Sequence, residues 1–319
     1  MKKTSSILKI TLPLLIGLVL VWYSLSKISI SELIQYFKDA NYLWIGIGVS
    51  FGVLSHLSRA YRWLFMAEPL GYEPKFANSL MSVYSAYLIN FTIPRAGEVA
   101  RASIITNYEG IPFEKTFGTI VAERVADTIM LLLIILITLG LEFEFIYQYF
   151  AERFQLSTLI VGVLALLVFA FFSFIFIKKS QSKFVLKIRS FILGLIEGVL
   201  SIFKMKKKWA FIFHTIFIWV MYVLMFYITT FALADLEGVS IAAILIGFIL
   251  ASFSIAATNG GIGSFPEAIV IAFAIFGITE DPSRAFGWIM WSSQTLMIIV
   301  LGGISLIYLP IYNRKQKEV

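Results

Sequence analysis

The segment "AERVADTIM" places Glu123, Arg124 and Asp127 within five positions of an otherwise apolar run. Glu123 and Asp127 are four apart and share a helix face, and Arg124 is three from Asp127. Ionisable groups in such a run are costly unless they face the protein interior and pair. Two chemistries suit them: an ion-pair network, or proton transfer by a buried carboxylate. Their expected partners are Arg59, Arg95 and Arg101. A second cluster is "SHLSRAYRW", where His56 and Arg59 lie three apart and Arg62 follows a turn later. Arg62 is expected to snorkel to the headgroups and Arg59 to lie deeper, in a site. His56 reads equally as a buried hydrogen-bonding residue or a proton carrier. His56, Glu123 and Asp127 are therefore the candidates for proton coupling.

Two interrupted segments supply a different chemistry. In "INFTIPRAGEVAR", Pro94 and Gly97 break an apolar stretch, and Arg95, Glu98 and Arg101 follow. Pro94 suits the first turn of a new helix, whose free N–H groups and positive dipole end would adjoin the two arginines. That is a phosphate-binding arrangement; the plain alternative is an interfacial loop with snorkelling arginines. In "ATNGGIGSFPE", Gly260, Gly261 and Gly263 offer a turn with exposed amides. Ser264 and Glu267 match a capping box there, so Glu267 is either a cap or part of a second site facing the first. The cations Arg59, Arg62, Arg95, Arg101 and Arg124 exceed the acids Glu98, Glu123, Asp127 and Glu267 by one. With two helix N-termini added, the balance favours an anionic ligand such as a lipid phosphate. No G-x-x-x-x-G-K-[ST] run is present, so a P-loop nucleotide site is excluded. The chain has no cysteine, which excludes disulfides and thiolate metal sites and leaves the redox compartment open. No cofactor and no metal site is expected.

The elements that position these residues follow from composition. Of 319 residues, 59% are hydrophobic and 14% charged, against about 45–50% and about 25% in soluble domains. The surplus lies in long runs, so the class is all-α: a polytopic helical membrane protein forming one domain over 1–319. Runs at about 7–25, 42–65, 118–140, 157–177, 209–233 and 284–309 each have roughly the length of a bilayer crossing. "MKK" followed by an apolar run without a small-x-small cleavage site reads as an uncleaved first helix. The net charge of +7 is not a nucleic-acid footprint, because the basic residues cluster at the ends of apolar runs. The segment 178–208 carries Lys178, Lys179, Lys183, Lys187, Arg189, Lys204, Lys206, Lys207 and Lys208 against Glu197 alone. By the positive-inside rule it is cytoplasmic, as are both termini, in the cell (inner) membrane. Its part 182–203 reads as an amphipathic surface helix or a connector.

Counting crossings then requires 77–117 to leave the cytoplasm and return, and 240–278 to do the same from outside. At 1.5 Å per residue, 97–107 spans roughly 16 Å and 265–278 roughly 21 Å, short of a core of about 30 Å. Re-entrant hairpins are therefore expected rather than pairs of crossings. Repeat A, about 42–140, and repeat B, about 209–309, then have opposite orientation. Inverted repeats with broken helices are a transporter device.

At "PRAGEVAR" (94–101), "ERVAD" (123–127), "SRAYRW" (58–63) and "GGIGSFPE" (260–267) the chain resembles the lysylphosphatidylglycerol-synthase transmembrane-region family, the flippase-like proteins. The motifs occur in the family's order and the resemblance covers nearly the whole chain. One departure is Thr258-Asn259, where relatives often carry a proline. The resemblance implies an integral membrane protein handling lipids, without the soluble domain that makes aminoacylated lipids. The expected function is a flippase or transporter of a phospholipid or polyprenyl phosphate, not an enzyme. Two alternatives stay open: a lipid-phosphate transferase or hydrolase using Glu98, Glu123 or Asp127, with or without a divalent metal, and a lipid-binding accessory protein. Membrane lipids are the expected partners, nucleic acid is not, and a homo-oligomer is left open.

Overall fold

The computed structural model describes residues 15–93, 96–144, 147–148, isolated residues between 161 and 186, and 205–314. The expectations for 7–14, for Pro94 and Arg95, and for most of 157–177 and 178–204 lie outside the described residues, as does the chain beyond 314. Among the described residues the regular structure is helical, with no strand. The helices are α1 (Leu15–Ser26), α2 (Ile30–Asp39), α3 (Tyr42–Ala67), α4 (Phe76–Thr92), α5 (Gly97–Glu109), α6 (Phe113–Leu141), α7 (Lys208–Thr230), α8 (Ile241–Ala257), α9 (Ser264–Ala274) and α10 (Glu280–Arg314). Their starts are set by local chemistry. Asn41, Ser29 and Ser240 cap α3, α2 and α8 by accepting the N–H of Leu43, Glu32 and Ala243. Gly110, left-handed at φ 69°, ends α5.

By length and apolar composition, α7 and α10 are able to cross a membrane, and α1 with α2, bent by 84° at their break, make a third if taken as one span. Only 33% of the most apolar stretch of α7 and 28% of that of α10 is buried inside the protein. Leu296, Ile299, Ile304 and Ile307 of α10 stand exposed. A continuous apolar exterior of this kind needs lipid as its solvent.

The chain divides into two compact units, Met1–Glu123 with Lys206–Val319, and Arg124–Met205. The second unit includes the Arg124–Leu141 part of α6, with exposed Leu132, Leu136 and Ile137. In the first unit α3 and α7 pack antiparallel. Gly48 leaves no room for a Cβ against Thr229, and Gly52 sits against Met225. Further along, Arg62 of α3 meets Thr215 of α7. Small residues one turn apart allow this close approach, as membrane helix pairs require.

Two short hairpins lean on α10. In the first, Gly97 of α5 packs directly on the Ala86 carbonyl and Asn90 of α4. At its other end Glu109 accepts from the Lys75 N–H and the Asn78 amide. Asn78 and Asn313 exchange a reciprocal pair of amide hydrogen bonds at 2.8–2.9 Å, which pins the hairpin base to the end of α10. In the second hairpin Gly247 of α8 faces Phe273 of α9, and the Ser264 hydroxyl meets Ser254. Gly302 and Gly287 of α10 give close contacts to Leu88 of α4 and Pro266 of α9 respectively. The tips adjoin: a Cβ on Gly260 would lie 2.5 Å from the Phe91 ring of α4. With 13 and 11 residues, α5 and α9 are about 20 and 17 Å long. The order long, short, short, long recurs in α3–α6 and α7–α10, with 26, 17, 13 and 29 residues against 23, 17, 11 and 35.

Candidate functional site

Glu123 lies at the meeting of α3, α5 and α6, and three guanidinium groups converge on it. Arg59 Nη1 donates to its Oε1 at 2.7 Å, and Arg62 Nη2 stands 3.1 Å from the same oxygen. Arg101 Nη1 donates to Oε2 at 2.9 Å. All four side chains are buried, Glu123 and Arg62 at 0% exposure. Burying such charges is tolerated only with close partners and further hydrogen bonds, and the surroundings provide them. Arg59 Nη2 donates to the Tyr222 hydroxyl at 3.3 Å. Arg62 Nη1 donates to Thr215 Oγ1 at 2.9 Å, and its guanidinium lies over the Phe211 ring. Arg101 lies over Trp63, whose Nε1 donates to Thr119.

The pairing of Glu123 with Arg59 and Arg101 matches the partners named from the sequence. Arg62 is a correction. It does not snorkel to a headgroup, because Glu123, Thr215 and Phe211 hold it in the interior. Its place a turn beyond Arg59 suggests a position outside the site, yet Arg59 and Arg62 are three apart and both reach one carboxylate. Arg124 and Asp127 sit together in the second unit at 3.7 Å, with Arg124 partly exposed. Glu98 is half-buried in the first turn of α5. The helix starts at Gly97, and the Gly97 N–H donates to Asn90 Oδ1 at 2.8 Å. One amide expected for a ligand is thus used within the hairpin. Arg95 lies outside the described residues. The His56 ring is enclosed by aromatic rings, with centroids 5.4 Å from Tyr84, 4.6 Å from Tyr87 and 6.3 Å from Tyr222.

The second tip differs from its expected capping box. Gly263, left-handed at φ 69°, is the cap residue of α9, and no side chain caps it. The Ser264 hydroxyl instead pairs with Thr258 and Ser254. Glu267 accepts from Ser24 of α1 at 2.6 Å and from Arg284 Nε of α10 at 2.9 Å. Arg284 also reaches Glu280 at 3.2 Å and Asp281 at 3.8 Å. Glu267 is thus an ion-pair partner, not a cap. Gly260 and Gly261 hold positive φ of 62° and 80°, and Trp291 Nε1 donates to the Gly260 carbonyl. Gly263 packs on the backbone of Leu20 and Val21 in α1. Arg284 and Ser24 were missed; the signal for Arg284 was an arginine at the head of an apolar run, directly after "EDPS". Among the described residues no group of three His, Asp or Glu side chains is placed to hold a metal ion.

Fold and site together define a helical membrane protein with a buried arginine–glutamate centre and two short hairpins whose tips touch. Residues 10–303 match the family described as the lysylphosphatidylglycerol synthase TM region, and the chain belongs to that family. It is also similar to the UPF0104 membrane protein MJ1595 of Methanocaldococcus jannaschii, at 22% identity over 98% of both chains. No solved structure matches the chain.

Proposed function

We propose that the protein is a lipid flippase or transporter that moves an anionic or phosphate-bearing headgroup between leaflets. The observation that carries this reading is the convergence of Arg59, Arg62 and Arg101 on one carboxylate inside an apolar protein. Guanidinium groups present paired donors that match phosphate geometry, and a low-dielectric site strengthens each contact. A headgroup phosphate takes the place of part of the Glu123 contacts, while its acyl chains stay in lipid. Glu123 then acts as the counter-charge that holds the arginines together between turnovers. His56, Glu123 and Asp127 are the groups through which a proton gradient would couple to movement.

The repeated order of helix lengths and the touching hairpin tips support an inverted-repeat arrangement with binding near the midplane. The lengths of α5 and α9 support re-entrant hairpins. The basic segment 178–208 supports cytoplasmic termini. Membership of a lipid-handling family supports the choice of cargo.

The test is reconstitution in liposomes with fluorescent phospholipids and a dithionite-quenching readout. The wild type is expected to equilibrate the label between leaflets. Arg101→Ala, which removes one charged donor, is expected to slow transfer by about tenfold or more. Equal rates in wild type, Arg101→Ala and empty liposomes would refute transport. Chemically altered lipid recovered from the same vesicles would instead favour the transferase or hydrolase alternative.

A further inference from the structure

Beside the Glu123 centre, three buried donors have no hydrogen-bond partner: the Tyr84 hydroxyl of α4, Trp219 Nε1 of α7 and Gln294 Nε2 of α10. Tyr84 and Gln294 border a seam along α3, and Trp219 joins it through Tyr222 of its own helix. A Cβ on Gly52 would lie 2.7 Å from Gln294 Oε1. One turn further, the His56 ring stands 5.4 Å from Tyr84 and 6.3 Å from Tyr222. The Trp219 ring is 6.1 Å from that of Tyr222. Tyr222 in turn accepts from Arg59, which holds Glu123. From Gly52 to Arg59 the seam covers about 10 Å of helix.

A buried donor without a partner loses its water and gains nothing, and several together call for an explanation. Their chemistry narrows the choice. The indole only donates, the amide offers two hydrogens, and the phenol serves either way. None is charged, and the surroundings are aromatic. A bare phosphate is served by the arginines and has no use for the seam. An ammonium group brings more donors to a donor-rich wall next to guanidinium charges. A sugar or polyol brings acceptor oxygens for the donors and C–H faces for the rings.

We infer that Tyr84, Trp219 and Gln294 form a subsite for the hydroxylated part of a lipid headgroup, a sugar or polyol, whose phosphate sits at Arg59, Arg62 and Arg101. This rests on the phosphate reading of the arginine centre and adds the class of headgroup attached to it.

The experiment compares phosphatidylinositol with phosphatidylmethanol, which has the same phosphodiester charge and no headgroup hydroxyl. Binding to the full chain is measured by native mass spectrometry from micelles and by thermal shift. The wild type is expected to favour phosphatidylinositol by about tenfold or more. Gln294→Leu and Tyr84→Phe are each expected to cut that preference by about five- to tenfold while leaving phosphatidylmethanol binding unchanged. If either variant fails to fold, Trp219→Phe keeps an aromatic ring and removes only the donor. Equal binding of the two lipids by the wild type, or a preference that survives these substitutions, overturns the subsite and leaves the phosphate site standing. Binding of neither lipid overturns the phosphate site, and the subsite with it.

Discussion

Glu123 is the residue on which the interior charge balance turns. It accepts from Arg59 and Arg101 and stands 3.1 Å from Arg62, with no exposure of its own. Glu123→Gln keeps the shape and removes the charge, leaving guanidinium groups buried against a neutral amide. Breaking a buried pair in this way costs about 3–5 kcal/mol. Arg124→Gln acts on a looser pair, at 3.7 Å, whose arginine side chain is 41% exposed and whose Asp127 is buried, so its cost should lie below that of the close, fully buried centre. Thermal denaturation of the two variants in the same detergent should therefore show a large fall for Glu123→Gln and a smaller one for Arg124→Gln. A similar fall in both would mean that the three-arginine centre contributes no more than the looser Arg124–Asp127 pair. The carboxylate and two of its arginines were legible in the sequence, because a charge inside an apolar run must find a partner. Arg62 was not, because its place near the end of α3 fits a headgroup contact as well as an interior one; packing against Phe211 decides it. Glu267 reads from the sequence as either a cap or a site residue, and the capping reading fails for a related reason. A capping box is a local pattern, and the carboxylate was taken by Arg284, seventeen residues away in sequence.

At the scale of the elements, the first hairpin depends on how closely α5 can approach α4. Gly97 touches the Ala86 carbonyl and the Asn90 side chain where a Cβ would stand. Ala86 contributes backbone, which cannot swing aside, so Gly97→Ala must push the helices apart. Such overpacking costs about 1–3 kcal/mol. Separation also loosens Arg101, one turn along α5, from Glu123. Gly118, with nothing within 4 Å of its would-be Cβ, is the control; Gly118→Ala in mid-helix should be neutral or stabilising by about 0.5–1 kcal/mol. Thermal shift and the lipid-transfer rate together check this: Gly97→Ala lowers both, Gly118→Ala neither. A Gly97→Ala protein as stable and active as wild type would show that the tight crossing is dispensable. The existence and approximate bounds of the short helices were readable from Gly110 and Gly260, since breaks in apolar runs are local. The helix partners were not. In lipid an apolar face does not select its neighbour; close packing of small residues does. The Gly48 and Gly52 contacts that fasten α3 to α7 carry that information, and they have meaning only once the partner is known.

For the whole molecule, composition alone decides the class. A chain that is 59% hydrophobic and 14% charged is well above the apolar share and well below the charged share of soluble domains, and its apolar runs need lipid. The path through the bilayer is a harder matter, and it turns on the short helices. Each hairpin helix forms an ion pair with the long helix after it: Arg101 with Glu123, both buried, in the first, and the half-buried Glu267 with Arg284 in the second. The carboxylate and guanidinium change places between the two. If the halves are opposed in the membrane, the hairpins open to opposite sides and neither tip emerges on the far face. Single cysteines in this cysteine-free chain test that directly with a membrane-impermeant maleimide. Asn107, exposed near the end of α5, should label as cysteine only from the cytoplasm. Thr279, exposed before α10, should label only from outside. Thr92, exposed at the end of α4, decides between the two paths. In a re-entrant hairpin a cysteine there is closed to reagent from outside. Rapid outside labelling at Thr92 with cytoplasmic labelling at Asn107 would make α4 and α5 two full crossings. The 13 residues of α5 would then have to bridge a core of about 30 Å with about 20 Å of helix, which only local thinning of the bilayer allows.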